Sequence, residues 1–275
     1  MSDSALLSDQ VVLVTGGTKG IGRGIVEQAL LAGARVALCS RTAAESAQVA
    51  DELNARFGAD RCFGAAADLR DRDSLTQMAR AVIDHWGRID TLVCNAGEVG
   101  DHCQPHDLPA DQFVQMLVSN VANNFHLVQQ VAPQMLERGE GCILFVTSIV
   151  STNVMPTNIP YATSKAAVAA MARSLAAEYA GRGVRVNCVA PGLIRTDASR
   201  IVWENPDLMR SYERNKIPMH RIGEPEEIGA ACVFLASRAA RYITAVSLPV
   251  DGGRAGIGQM SGENALVEDA PAGAP

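Results

Sequence analysis

The sequence predicts an α/β chain built on one doubly wound parallel sheet with helices on both faces. Three observations lead there. Strand-like apolar runs alternate with helix-like segments through most of the 275 residues. The strand runs are short and apolar throughout, the pattern of strands covered on both faces. A glycine-rich turn joins the first run to the first helix, as ligand-binding α/β sheets require.

Residues 11–15 (VVLVT) are β-branched and apolar and form the first strand. Helical periodicity follows over 22–31 and stops at Gly33. A second strand spans 35–39, a polar-faced helix about 42–57, a weaker strand 61–67 and a helix 74–85. Residues 91–94 are a buried strand. Residues 111–136 read as one long helix, with Pro133 at a kink or a boundary because it has no amide to donate. Then come a strand at 142–147, a helix at 162–179, a strand at 184–189, a helix at 225–235 and a last strand at 247–250. No linker-like stretch divides them, so 1–253 reads as a single domain. Segment 195–221 is long for a connection and is expected to be an active-site lid with short helices of its own. The tail 254–275 is rich in Gly, Ala and Pro and suits either disorder or docking on a neighbouring subunit.

A net charge of −6 and 4% aromatic residues argue against a nucleic-acid or membrane-surface role. No apolar run is long enough to cross a bilayer, and the first residues lack the basic and apolar regions of a secretory signal. Seven cysteines without a CxxC pair suit free thiols in a reducing, cytoplasmic setting. His102, Cys103 and His106 match no closed zinc spacing, so no metal is expected.

The turn reads TGGTKGIG over 15–22. Gly16, Gly20 and Gly22 permit a tight turn and close approach of a ligand, and the helix start offers free amides to a pyrophosphate. Thr18, Lys19 and Ile21 complete this expected dinucleotide cradle. The second strand ends Leu38-Cys39-Ser40-Arg41, without the acid that holds an NAD ribose. Ser40, Arg41 and Lys19 suit a 2′-phosphate instead, which predicts NADP(H) over NAD(H).

Residues 160–165 read PYATSK. Pro160 suits the first turn of a helix, and Tyr161 and Lys165, four apart, share its face. A phenol with its ordinary pKa of about 10 is a poor acid–base group at neutral pH. The lysine and the helix dipole are expected to lower it. Ser148, at the end of the preceding strand, is placed to donate a hydrogen bond to a substrate oxygen.

Together these residues resemble a classical short-chain dehydrogenase/reductase. The resemblance runs from Val11 to Gly253 and adds Asp68-Leu69, Asn95-Ala96-Gly97, Asn120, PGLIRT (191–196) and the closing VDGG (250–253). It implies a Rossmann-type dinucleotide-binding and catalytic domain. Tyr161 would exchange the proton with a ketone or alcohol, Lys165 would hold the nicotinamide ribose, and Ser148 would orient the substrate oxygen. Asn120 would anchor a water linking Lys165 to solvent. Asp68 and Leu69 would meet the adenine, Asn95, Ala96 and Gly97 the adenosine ribose, and Pro191, Gly192, Ile194 and Thr196 the nicotinamide end. A homotetramer, or a homodimer, is implied. The chain departs from the family pattern at Cys94, at Asn123 and Asn124, and at Ala245, where many relatives have glycine.

A small-molecule carbonyl or alcohol is the expected substrate, walled by Glu98, Val99, Val150, Asn158, Leu193, Trp203 and Tyr212. Trp203 suits either a cover over the substrate or a pin fixing the lid. An NAD(H)-linked alcohol dehydrogenase and a non-catalytic cofactor sensor are the alternatives. Sensors of this kind lose the serine, tyrosine or lysine, and all three are present here.

Overall fold

The computed structural model describes residues 5–153, 156 and 158–257. Its strands are β1 (Val11–Thr15), β2 (Arg35–Ser40), β3 (Cys62–Ala66), β4 (Thr91–Cys94), β5 (Gly141–Val146), β6 (Val184–Pro191) and β7 (Ser247–Val250). They form one sheet in the order β3-β2-β1-β4-β5-β6-β7, every neighbour parallel. The winding reverses between β1 and β4, and the crevice beyond their carboxyl ends is where such sheets bind ligands.

The helices are α1 (Gly20–Leu31), α2 (Ala43–Phe57), α3 (Arg72–Trp86), α4 (Ala110–Leu117), α5 (Asn123–Arg138), α6 (Ile159–Tyr179), α7 (Arg200–Trp203), α8 (Pro206–Asn215), α9 (Pro225–Ala236) and α10 (Arg254–Ile257). Alternate residues of the same strands feed two cores. Leu13, Leu92, Ile143 and Phe145 pack with Leu75, Leu127, Val131 and Val168 of α3, α5 and α6. Val12, Val14, Leu38 and Leu144 pack with Ile25, Val26, Ile228 and Val233 of α1 and α9, and with Leu53 of α2. Both faces of the central strands β1, β4 and β5 are buried, so these carry no polar alternation. By contrast, β6 alternates through Arg185 and Asn187, and the edge strands β3 and β7 are partly exposed. Each large apolar side chain of the two cores contributes about 1.5–3 kcal/mol by leaving water.

Two close approaches set the helices that carry the site. A Cβ on Gly24 would lie 2.5 Å from Pro225 O, and one on Gly229 2.5 Å from Gly24 O, so α1 and α9 meet backbone to backbone. A Cβ on Gly64 would lie 2.3 Å from Ser46 O, which seats α2 directly on β3.

The single helix expected over 111–136 is instead two. A π turn, Val118–Ala122, separates α4 from α5, and the Asn123 amide bonds back five residues to Val118 O. Ser119 Oγ donates to Gln115 O at 3.0 Å, and the Asn120 side chain is drawn sideways onto residue 98. The helix breaks where these polar side chains find partners, and it runs on through Pro133. Segment 195–221 contains α7, α8 and a 3₁₀ turn at Asp197–Ser199. Ala245 holds φ 63, the left-handed backbone that explains the usual glycine. Of the tail, 254–257 form α10, and the expectation for 258–275 lies outside the described residues. Among the described residues no helix is long and apolar enough to cross a membrane.

Candidate active site

The turn after β1 is held by its neighbour strand. Thr15 Oγ1 accepts the amides of Asn95 and Ala96, both at 3.0 Å. Asn95 Nδ2 donates to Thr15 O at 2.9 Å and Gly16 O at 3.2 Å. Gly16 and Gly20 hold φ 65 and 54, and a Cβ on Gly22 would lie 1.9 Å from Gly16 O. α1 starts at Lys19 with no side-chain cap and no acid in its first turn. Its leading amides and positive dipole end therefore remain for an anionic ligand.

A cleft of about 640 Å³ opens there, a volume typical of a small-molecule site. Gly16, Thr18, Lys19, Gly20, Ile21 and Gly22 form one wall. Ser40 and Arg41 line the end of β2, Asp68 and Leu69 the end of β3, Asn95, Ala96 and Gly97 the end of β4, and Thr196 the far lip. The loops are fixed by their own bonds. Asp68 Oδ1 accepts Arg70 N at 2.9 Å, and Asn123 Nδ2 donates to Leu69 O at 2.7 Å. The unusual Asn123 thus holds the β3 loop. Pro191, Gly192 and Ile194 fall outside this lining. Gly192 N donates to Val250 O at 3.0 Å, and Ile194 pairs with Gly223 and lines a second cavity with Met219 and Val250.

The cleft meets the tyrosine–lysine pair at Gly97. A Cβ there would lie 3.3 Å from Lys165 Nζ and 3.4 Å from Asn120 Oδ1. Lys165, 7% exposed, donates from Nζ to Val146 O at 2.9 Å and lies 5.6 Å from the Tyr161 ring centroid. Ser148 lies beside the Tyr161 phenol, and its Oγ accepts Val150 N at 3.3 Å. Asn120, 1% exposed, accepts Glu98 N at 2.8 Å through Oδ1. Its Nδ2 donates to Glu98 O at 2.9 Å and Ser164 Oγ at 3.0 Å. Asn124 Nδ2 donates to Asn120 O at 2.8 Å, so this second departure from the family pattern braces the π turn.

One expectation is reversed. Burial pushes the Tyr161 phenol up, against a smaller downward pull from the nearby Ser148 hydroxyl. The lysine does not lower it. Burial instead pushes the Lys165 ammonium down to about 8, while the buried thiols of Cys188 and Cys94 pull the other way. Near neutral pH this pairing leaves a protonated phenol beside a charged ammonium.

Of the expected walls, Glu98 and Val99 line the cleft. Asn158 Nδ2 instead donates to Val99 O at 3.1 Å. Trp203 Nε1 donates to Thr196 O at 2.9 Å, and Arg195 and Arg200 lie over its ring at 5.6 and 5.8 Å. The indole pins its own segment. Tyr212 packs under Lys216 and Arg254. The sequence reading missed Glu45, which lines the cleft beside Ser40 and Arg41. Its signal was the Thr42-x-x-Glu45 spacing, that of a helix cap followed three residues later by an acid.

Residues 16–255 match a family model described as "Enoyl-(Acyl carrier protein) reductase". The chain is 36% identical over 249 residues to D-threitol dehydrogenase of Mycolicibacterium smegmatis, covering 90% of this chain and 93% of that one. A solved 7 alpha-hydroxysteroid dehydrogenase, complexed with NADH and 7-oxo glycochenodeoxycholic acid, superposes with TM-score 0.85 at 34% identity, covering 92% and 98%. The Pseudomonas aeruginosa RhlG/NADP active-site complex superposes with TM-score 0.85 at 32% identity, covering 93% and 100%. The chain belongs to the classical short-chain dehydrogenase/reductase family and is an oxidoreductase of that family.

Proposed function

We propose that the chain is an NADP(H)-dependent oxidoreductase that interconverts a ketone and a secondary alcohol, with Tyr161 as general acid and base. The observation that carries this is that Lys165 Nζ and Asn120 Oδ1 both lie directly behind Gly97, which lines the cleft together with the glycine turn. The residues fit the cofactor. An uncapped helix start faces the cleft, and glycines stand where a Cβ would press on the opposite wall. Lys19, Ser40 and Arg41 would hold the 2′-phosphate, and the start of α1 the pyrophosphate. When bound, the nicotinamide supplies or accepts the hydride.

The rest of the chemistry belongs to the chain. Ser148 orients the substrate oxygen by a hydrogen bond. In reduction Tyr161 gives its phenolic proton to that oxygen as a hydride reaches the carbonyl carbon. The Lys165 ammonium stabilises the phenolate that forms, and Asn120 anchors the path by which a solvent proton restores it. Oxidation reverses each step. The raised phenol pKa suits the donor role in reduction. Hydroxysteroid and threitol dehydrogenases among its relatives support a secondary alcohol or its ketone as the substrate class.

Segment 195–221 serves as a lid, with Trp203 stiffening it and Val150 facing the substrate. Val114, Val118 and Phe125 on α4, the π turn and α5 are exposed apolar residues that support association into a homotetramer. Light scattering tests that assembly. A panel of ketones and alcohols, read at the nicotinamide absorbance band with NADP(H), tests the activity; turnover without net cofactor consumption overturns it.

A further inference from the structure

We propose that Glu45 is an internal occupant of the 2′-phosphate subsite, and that its carboxylate limits how strongly the chain prefers NADP(H) over NAD(H). This rests on the NADP(H) reading above. Two hydroxyls from two segments converge on the one carboxylate. Thr18 Oγ1, in the glycine turn, donates to Oε1 at 3.0 Å. Thr42 Oγ1, just before α2, donates to Oε2 at 3.3 Å. Ser40 Oγ, at the end of β2, stands beside them and donates to Thr42 O at 3.1 Å. The surrounding hydroxyls, Ser40's foremost, hold the carboxyl below the usual range.

The position is built in. Ser46 Oγ accepts Ser40 N at 2.8 Å, and the Ser46 backbone lies against Gly64 of β3. The first turn of α2 therefore cannot swing away as a unit. Glu45 shares the cleft wall with Lys19, Ser40 and Arg41. Among the described residues neither Lys19 nor Arg41 makes an ion pair within 4.0 Å. The subsite thus holds cations for a phosphate and, among them, a carboxylate that engages the hydroxyl donors a phosphate would use. A phosphate entering here displaces Glu45 to a new rotamer and meets its charge. A ribose 2′-hydroxyl instead donates to the carboxylate where it stands.

The test is calorimetric titration of the full-length protein with 2′,5′-ADP and 5′-AMP, which isolate the adenosine end, alongside NADPH and NADH. Glu45→Gln is expected to tighten 2′,5′-ADP about three- to tenfold, the net worth of about one ordinary hydrogen bond. It should leave 5′-AMP unchanged or weaker. A 2′,5′-ADP affinity within twofold of wild type, or weaker, overturns the proposal. Arg41→Ala separates the two readings. If it weakens 2′,5′-ADP while Glu45→Gln changes nothing, the Glu45 assignment alone falls. If Arg41→Ala has no effect and wild type binds 5′-AMP as well as 2′,5′-ADP, the NADP(H) reading falls. A thermal melt of each variant verifies that the fold is intact.

Discussion

At the inner end of the cleft Lys165 is 7% exposed and Asn120 1%, and both are tied to backbone atoms, Val146 O and the amide and carbonyl of Glu98. At the outer end Arg41, Thr42 and Glu45 are exposed, and the bonds run between side-chain hydroxyls and a carboxylate. The inner end accepts a desolvation cost, visible in the raised phenol and the depressed ammonium, and gains fixed geometry. The outer end keeps its charges hydrated, so its contacts are weak, screened and exchangeable. In the proposed function the chemistry is thereby locked by burial, while cofactor choice is left to side chains that one substitution can retune.

The largest effect should come from the inner end. Tyr161→Phe removes the only proposed proton donor and should lower kcat about a hundred- to ten-thousandfold, leaving NADPH affinity within about twofold. Substantial retained turnover breaks the assignment. Gly97→Ala should cost less, about ten- to a hundredfold in kcat. Its methyl would press on Lys165 Nζ at 3.3 Å and Asn120 Oδ1 at 3.4 Å, neither of which has room to retreat. If the loss appears in the NADPH Kd instead, Gly97 belongs to the binding wall rather than to the proton machinery.

The same contrast explains what was legible in the sequence. All seven strands were readable, the central ones because both sheet faces demand apolar residues there; their order in the sheet was not. Gly16, Gly20, Tyr161 and Lys165 were readable because their spacing is dictated by a turn and a helix face. The π turn was not, because it depends on Asn120 finding residue 98, a partner 22 positions away. The direction of the Tyr161 shift was misjudged for a related reason. A spacing of four predicts proximity to Lys165, but burial dominates both groups, and for Lys165 it is tertiary, with Cys94, Val146 and Cys188 of β4, β5 and β6 beside it. Glu45 was overlooked because an acid in the first turn of a helix has a sufficient local explanation as a capping residue. Only the fold brings Thr18 to it across 27 positions.

A pH profile sharpens the comparison further. Lys165 is charged below about 8 and neutral above. Reduction uses the charged form, so its kcat/KM should be level through neutral pH and fall above about 8, by up to about tenfold per pH unit. Tyr161, pushed up, stays protonated across that range. Stability moves the opposite way. Between about 8 and the ordinary 10.5 the unfolded chain binds more protons at this lysine than the folded one. Lys165 therefore opposes folding below about 8, and that opposition fades as pH rises through the window. Denaturant melts should show wild type gaining on Lys165→Met between these limits; parallel curves would mean the ammonium is not desolvated.

The smallest effect belongs to the outer end and comes from salt. Screening shortens the reach of exposed charges from about 10 Å at 0.1 M to about 3 Å at 1 M. In the proposed reading Arg41 and Lys19 act on a 2′-phosphate from the exposed wall, so raising NaCl from about 0.05 to about 0.5 M should weaken NADPH binding about three- to tenfold. The kcat, set by groups shielded from mobile ions, should stay within about twofold. NADH binding should respond less than NADPH, because it places no dianion beside those cations. Arg41→Ala should flatten the NADPH salt dependence toward that of NADH. If NADPH and NADH share one salt slope in wild type, the cations at this end do not read the 2′ position. The distinction between a locked chemical end and a tunable cofactor end would then rest on the hydroxyls and Glu45 alone.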